Sequence, residues 1–410
     1  MASDVPRVAS VRLANIRGFR DFTLELGADA SSPRRRAALL IGRNGTNKST
    51  LLRAIAIGLA STTDASAMLS IPLGSMVRSG EEHGEIELEL VFDNGDTVQM
   101  RKSLFVKGGR DVLGESEGPS AEDLNLLVTG YGAARGITGT DPGRDYRVYD
   151  AVQTLFDYRR ELLAPELVLR RLQDQLGTEL YDATLAGVAR VMGLRGEPGE
   201  IAFASGGGVV VSSPDVGEGV PLEAVADGYR VVFNWLIDMY GRAIRPGWIT
   251  EDGSVAGVIL IDELDQHLHP ELQAAVMREL LRLLPNAQIV ATTHSPLVAL
   301  GADPEQLVVL ERHGSDVVFV DRVPDYRGFS AEDMLADDRL FATAVWSPET
   351  EQRMERYEEL VAIDPAARTV EQTEELRRLA SMLRDLPLPQ IVDREVRESA
   401  EQIRSVLGRG

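Results

Sequence analysis

Apolar and polar residues alternate over Val11–Ile16 and Phe22–Leu26, which predicts two short strands joined by Arg17-Gly18-Phe19-Arg20. The unbroken apolar run Ala37–Ile41 predicts a buried strand, and Ser49–Ala60 a helix opened by the segment 42–48. Glu85–Leu90 alternates strictly, Asn94-Gly95 is a hairpin turn, and Thr97–Val106 is its partner strand. Leu126–Thr129 predicts a buried strand ending at Gly130-Tyr131-Gly132, and the pattern from Val148 to Leu194 is helical, with Pro165 at a helix start. A helix over Gly228–Tyr240, a strand over Val258–Ile261, a helix over Pro270–Leu284 and a strand over Ile289–Ala291 follow. Strands near Leu307–Leu310 and Val317–Val320 lead to three charged amphipathic helices near Pro348–Ala362, Val370–Asp385 and Ile391–Leu407. The expected domains are a head over 1–335 and a helical appendage over 336–410. Within the head, about 84–108 is an antiparallel hairpin and about 145–222 a mainly helical insertion, with a hairpin or flexible turn at Gly206-Gly207-Gly208 and Val209–Val211.

Composition narrows the classes of function. The 410 residues contain no cysteine, which excludes disulfides, thiolate metal sites and cysteine nucleophiles. No apolar run approaches the roughly 18 residues of a membrane span, so a cytoplasmic protein is expected. The net charge of −21 argues against bulk attraction to nucleic acid. Residues 1–50 nonetheless carry nine basic against four acidic side chains, and Arg20 and Arg34–Arg36 are the best local candidates for DNA contact. Lysine occurs three times, at Lys48, Lys102 and Lys107, so a lysine retained among 40 arginines invites a chemical reason.

Lys48 lies in Gly42-Arg43-Asn44-Gly45-Thr46-Asn47-Lys48-Ser49-Thr50, between a buried strand and an apolar helix. That is the setting of a phosphate-binding loop: small residues let backbone N–H groups reach the phosphates, and the helix N-terminus adds positive potential. Lys48 would reach the β- and γ-phosphates of ATP and the Ser49 hydroxyl would ligate Mg²⁺. The strict pattern has Gly at position 47; Asn tolerates left-handed geometry better than most residues. Downstream, Val258–Ile261 ends in Asp262 and Glu263. In a nucleotide site the first carboxylate holds Mg²⁺ and the second activates the attacking water. His267 and His269, without a third ligand, read as polar turn residues rather than a metal pair.

The order of these motifs carries a resemblance. Val11-Arg12-Leu13-Ala14-Asn15-Ile16-Arg17-Gly18-Phe19, the stretch Gly257–Pro270 and Thr292-Thr293-His294-Ser295-Pro296 together resemble the ABC-type ATPases of the RecF/SMC and OLD-nuclease group. The resemblance implies an α/β fold: an ABC-type P-loop ATPase head with an antiparallel β subdomain, a helical insertion and a C-terminal helical appendage. It implies that Tyr131-Gly132 occupy the Q-loop, that His294 is the switch histidine, and that Asp227, Gly228 and Arg230 form a signature loop. That loop would act on the nucleotide of a partner subunit, making a homodimer or higher oligomer through ATP. Ala226 replaces the usual serine of the signature, which puts efficient hydrolysis in doubt.

No coiled coil interrupts the head as in full SMC proteins, and no Toprim-like sheet follows it, so no intrinsic nuclease is expected. The compact form resembles ATPases of bacterial phage defence of the Septu type, in which a separate nuclease is the effector. Leu376, Leu379, Leu383, Val396, Ala400 and Ile403 give the tail helices apolar faces, suited to packing on the head or to docking that effector. Two competing readings stand beside this one: a RecF-type ATPase of DNA repair, and a scaffold with structural ATP.

Overall fold

The computed structural model of the chain describes residues 5–27, 32, 34, 36–140, 146–204, 207–245, 247–320, 326–337, 340–341, 347–365 and 367–383. They fall into two compact units, Met1–Pro324 and Asp325–Gly410, divided ahead of the boundary expected at 335.

The first unit begins with β1 (Arg7–Ile16), β2 (Phe19–Glu25), β3 (Ala37–Ile41), α1 (Lys48–Leu59) and α2 (Thr62–Leu69). Next come β4 (His83–Val91), β5 (Thr97–Lys107), β6 (Arg110–Glu117), β7 (Val128–Tyr131) and β8 (Thr138–Thr140). The middle of the unit holds α3 (Val148–Val152), β9 (Leu162–Leu163), α4 (Pro165–Val191), β10 (Ile201–Phe203), β11 (Val209–Ser213) and β12 (Gly217–Pro221). It closes with α5 (Asp227–Arg242), β13 (Gly257–Ile261), α6 (Pro270–Gln273), α7 (Val276–Leu283), β14 (Ala287–Thr292), α8 (Pro296–Leu300), β15 (Leu307–His313) and β16 (Asp316–Val320).

Two sheets organise these elements. Strands β2-β1-β4-β5-β6 form an antiparallel sheet, and β16-β15-β3-β14-β13-β7 form a six-stranded sheet, parallel apart from the β15–β16 hairpin. Helix α1 lies between them, and residues of both sheets join it in one continuous core. Its packing is close: a Cβ on Gly58 would lie 2.5 Å from Leu88 Cδ1 on β4. Strands β3, β13 and β14 are buried throughout, as parallel strands covered on both faces must be.

Two expected elements differ. The insertion is helical over α3 and α4, and where a hairpin or flexible turn is expected at 206–211 it forms a full three-stranded antiparallel sheet of β10, β11 and β12. The helix expected over Pro270–Leu284 is broken after Gln273, because the Gln273 side-chain amide donates to the Leu268 carbonyl at 2.9 Å and ties the short first turn to the preceding loop.

In the second unit, α9 (Ala331–Ala336) precedes α10 (Pro348–Ala362) and α11 (Val370–Leu383). The last two form a pair that buries Leu360 and Leu379 and is clasped by Arg356, whose Nε and Nη2 donate to the Glu375 carboxylate at 3.1 and 3.0 Å. Leu376 and Leu383 are half-buried. The helix expected near Ile391–Leu407, with Val396, Ala400 and Ile403, lies outside the described residues.

Candidate functional site

The site forms at the carboxyl ends of β3 and β13, which are separated in the sheet by β14. That edge is where open α/β sheets bind ligands. Gly42 leaves β3 at φ 148°, and a Cβ there would lie 2.3 Å from the Leu310 carbonyl oxygen, so the loop passes too close to β15 for a side chain. Asn47 adopts the left-handed conformation, φ 60° and ψ 28°, and begins α1. Its side chain makes no capping hydrogen bond and lies against Gly18, and α1 has no acidic residue in its first turn. The N–H groups and positive potential of the helix terminus therefore remain available to an anion.

Lys48 is 6% exposed. Its Nζ donates to the carbonyls of Gly42 at 2.6 Å and Arg43 at 3.3 Å, so the ammonium is folded back over the loop. Burial pulls its pKa down to about 8, against the attraction of Asp262, Glu263 and Asp265. The same three carboxylates act on Arg135, and Asp262 acts on Arg53, which places lysine, arginines and acids around one point.

Asp262 is buried and accepts a hydrogen bond from the Thr292 hydroxyl at 2.6 Å. Its own N–H donates to the Tyr131 carbonyl at 2.7 Å. Glu263 follows with φ 48°, and its N–H donates to Thr292 Oγ1 at 2.8 Å. Burial first, then repulsion from Asp262 and Asp265, raise the Glu263 pKa, while Arg135 and Lys48 oppose the rise. Asp265 accepts from the Thr293 hydroxyl at 2.5 Å and from the His294 N–H at 3.1 Å, joining the acidic turn to the histidine loop. Burial and the nearby Lys48 lower the His294 pKa, against the pull of Asp265 and Asp262.

Lys48, Asp262, Glu263 and His294 are thus brought together. Tyr131 is placed differently from the nucleotide contact implied by the resemblance. Its side chain is fully buried, the hydroxyl donates to Asp238 Oδ2 on α5 at 2.9 Å, and the ring packs on Trp235 at 5.3 Å. Asp227, Gly228 and Arg230 open α5, with Arg230 Nη2 donating to Asp227 at 2.6 Å. A Cβ on Gly228 would lie 2.4 Å from the His267 carbonyl oxygen, so this helix starts hard against the turn that follows the acidic strand.

Beside Asn47 opens a cleft of about 660 Å³, lined by Arg17, Gly18, Asn47, Val77, Arg78 and Arg312 among others. Arg17 reaches the Thr50 hydroxyl at 3.4 Å and is braced by the carbonyls of Leu73 at 2.8 Å and Ser75 at 3.0 Å. Of the candidates for DNA contact, Arg34 donates to the carbonyls of Glu305 and Leu307, Arg36 to that of Leu281, and Arg20 pairs with Asp316 at 3.5 Å. These three have a structural task within the unit, and Arg35 lies outside the described residues. Among the described residues no cluster of three His, Cys, Asp or Glu could hold a metal ion. The oxygen donors of Ser49 and Asp262 fit Mg²⁺, which binds through one or two protein oxygens together with substrate phosphates.

Sequence reasoning missed Thr292, Asp265 and Arg135. The first two stand inside stretches noted for other residues, where a hydroxyl or carboxylate beside the strand end was a usable signal. Arg135 has no spacing that marks it.

Residues 152–300 match the family described as AAA domain, putative AbiEii toxin, Type IV TA system, and residues 10–127 match a second AAA domain family. Over these two stretches the chain is similar to P-loop ATPases of the AAA domain families. The chain is 24% identical over 391 residues to the Septu protein PtuA of Bacillus mycoides (strain KBAB4), covering 92% of this chain and 50% of that protein. It is 33% identical over 106 residues to the Retron Vc95 probable ATPase of Vibrio cholerae serotype O1 biovar El Tor, covering 26% and 21% of the two chains. The chain therefore spans about half the length of the Septu relative or less of the retron one. Among solved structures, the SMC head domain from Thermotoga maritima superposes with a TM-score of 0.45 at 15% identity, covering 78% of this chain and all of that one.

Proposed function

We propose that the chain binds MgATP at Gly42–Thr50 and hydrolyses it. The observation that carries this is the convergence of Lys48, Asp262, Glu263 and His294 on one end of the six-stranded sheet. The backbone N–H groups opening α1 and the Lys48 ammonium bind the phosphates, with Asn44, Gly45 and Thr46 completing the loop. The nucleoside lies in the cleft beside Asn47, and Ser49 with Asp262 holds the metal. When bound, Mg²⁺ neutralises charge on the phosphates and favours their in-line displacement. Glu263, its pKa raised, accepts the proton of the attacking water, and His294 presents a ring nitrogen to the γ-phosphate.

Asp227, Gly228 and Arg230 of one protomer complete the site of another, so ATP closes a homodimer or larger oligomer. By analogy with the Septu and retron relatives, the chain serves as the regulatory ATPase of an anti-phage defence system with a separate nuclease effector. Among the described residues no helix is long and apolar enough to cross a membrane. The tail helices dock the effector, a role supported by Val361, Val370 and Met382, which are exposed on α10 and α11.

Calorimetry with MgATP tests the core of this reading. Binding to the native chain that is abolished by Lys48→Ala is expected, and equal affinity of the two overturns it. Co-purification of neighbouring gene products with the full chain and with residues 1–340 tests the docking. Undiminished capture by the shorter chain overturns that part.

A further inference from the structure

We propose that Arg135 is a positioning residue for ATP hydrolysis, acting on Glu263 through the main chain; this rests on the hydrolysis reading above. The guanidinium is 2% exposed and lies just beyond β7. Nη1 donates to the carbonyls of Asp262 at 2.5 Å and Gly132 at 3.0 Å, and Nη2 to that of Glu263 at 3.0 Å. Its Nε is buried without a hydrogen-bond partner. A buried guanidinium commonly forks onto a carboxylate. Here the fork grips main-chain oxygens, and the carboxylates of Asp262, Asp265 and Glu263 only balance its charge from nearby.

What the grip fixes is unusual. Glu263 has φ 48°, a left-handed conformation that a side chain bearing a Cβ adopts at a cost. Such a residue persists where its surroundings over-determine it. Two groups do so here: Thr292 Oγ1 holds the Glu263 N–H at 2.8 Å and Arg135 holds its carbonyl. With both peptide groups pinned, the direction of the Glu263 side chain is set before substrate arrives. The segment bearing the clamp also meets the signature helix, since the Asn234 side chain on α5 donates to the Gly136 carbonyl at 3.4 Å.

The test uses the full chain and measures ATP affinity by calorimetry and turnover at saturating ATP for wild type, Arg135→Ala, Arg135→Lys, Glu263→Gln and the double variant. Misplacing a catalytic group by about 1 Å costs about 100-fold, so Arg135→Ala is expected to lower kcat by about that factor. ATP affinity should stay within about threefold, the signature of an interaction expressed only in the transition state. Arg135→Lys, which keeps the charge and loses the fork, should recover part of the rate. Because the effect runs through Glu263, removing Arg135 in a Glu263→Gln chain should cost nothing further.

Unchanged turnover in Arg135→Ala overturns the proposal. So does a parallel loss of affinity and rate, or a full further loss in the double variant. If Arg135→Ala does not yield folded protein, Arg135→Lys alone and in the Glu263→Gln chain is read by the same criteria. Absence of turnover in the wild-type chain refutes the hydrolysis reading itself, a result distinct from a hydrolysing chain indifferent to Arg135.

Discussion

If ATP binds as proposed, the folded-back Lys48 should make its affinity depend on pH, with a sign and size that follow from the burial of the ammonium. Its fall from 10.5 to about 8 means that the buried setting disfavours the ammonium by about 3 kcal/mol. Polyphosphate reverses this by placing negative charge on the ammonium, so the bound state keeps the proton well above pH 8. The sign follows: the empty site loses its charge as pH rises through about 8, while the occupied site retains it. If only the charged form binds, about nine in ten molecules are competent at pH 7 and about one in ten at pH 9, so affinity falls about tenfold across that window. Calorimetric titration with MgATP at pH 7, 8 and 9 measures the fall. Repeating the pH 9 titration in buffers of different ionisation enthalpy should show uptake of nearly one proton per ATP. An affinity that stays flat from pH 7 to 9, without proton uptake, would refute the reasoning, whatever the absolute affinity.

Three further outcomes are expected. Glu263→Gln should slow single-turnover hydrolysis by about 10²–10⁴-fold and accumulate an ATP-bound species of twice the protomer mass in light scattering; a monomer under those conditions argues against the sandwich. Tyr131→Phe removes a buried hydroxyl from Asp238 and should cost about 1–3 kcal/mol of stability in denaturant titration. Its ATP affinity should be unchanged, and a marked loss would restore the tyrosine as a nucleotide contact. Gly228→Ala drives a methyl group toward the His267 carbonyl, with about 1–3 kcal/mol of overpacking. It should weaken ATP-dependent association while sparing ATP binding by the protomer, and intact association would show the turn to be more yielding than its packing implies.

What the sequence revealed follows from how locally each feature is encoded. Strands β3 and β13 were legible because a parallel strand buried on both faces is an uninterrupted apolar run. The loop between β3 and α1 and the Asp262-Glu263 pair stood out as candidates because the chemistry expected of them requires neighbouring residues in a fixed order. The break between α6 and α7 was not, since Ala274 and Ala275 are good helix formers and the interruption comes from contacts outside the helix. One is the Gln273 bond to Leu268; another is Gly301, where a Cβ would come within 2.2 Å of the Ala274 carbonyl oxygen. The β10–β12 sheet was legible only as a hairpin or flexible turn at 206–211, because strands of three to five residues are too short to show a clear alternation. Tyr131 shows the limit of reasoning by likeness, because a motif places the backbone while the surrounding helices decide where a side chain turns. Arg135 shows the limit of motifs altogether: it meets main-chain oxygens, which every residue possesses, so no partner residue type announces it.

Helix α1 both begins at the proposed phosphate loop and fills the space between the two sheets. Hydrophobic side chains along it are shared by both layers, so neither sheet has a core that can open without loosening the segment 47–50. The antiparallel layer and the parallel layer are therefore expected to exchange amide hydrogens as a single cooperative unit. A ligand bound at the helix N-terminus is therefore expected to slow exchange in the distant strands β4 and β5 as much as in β3.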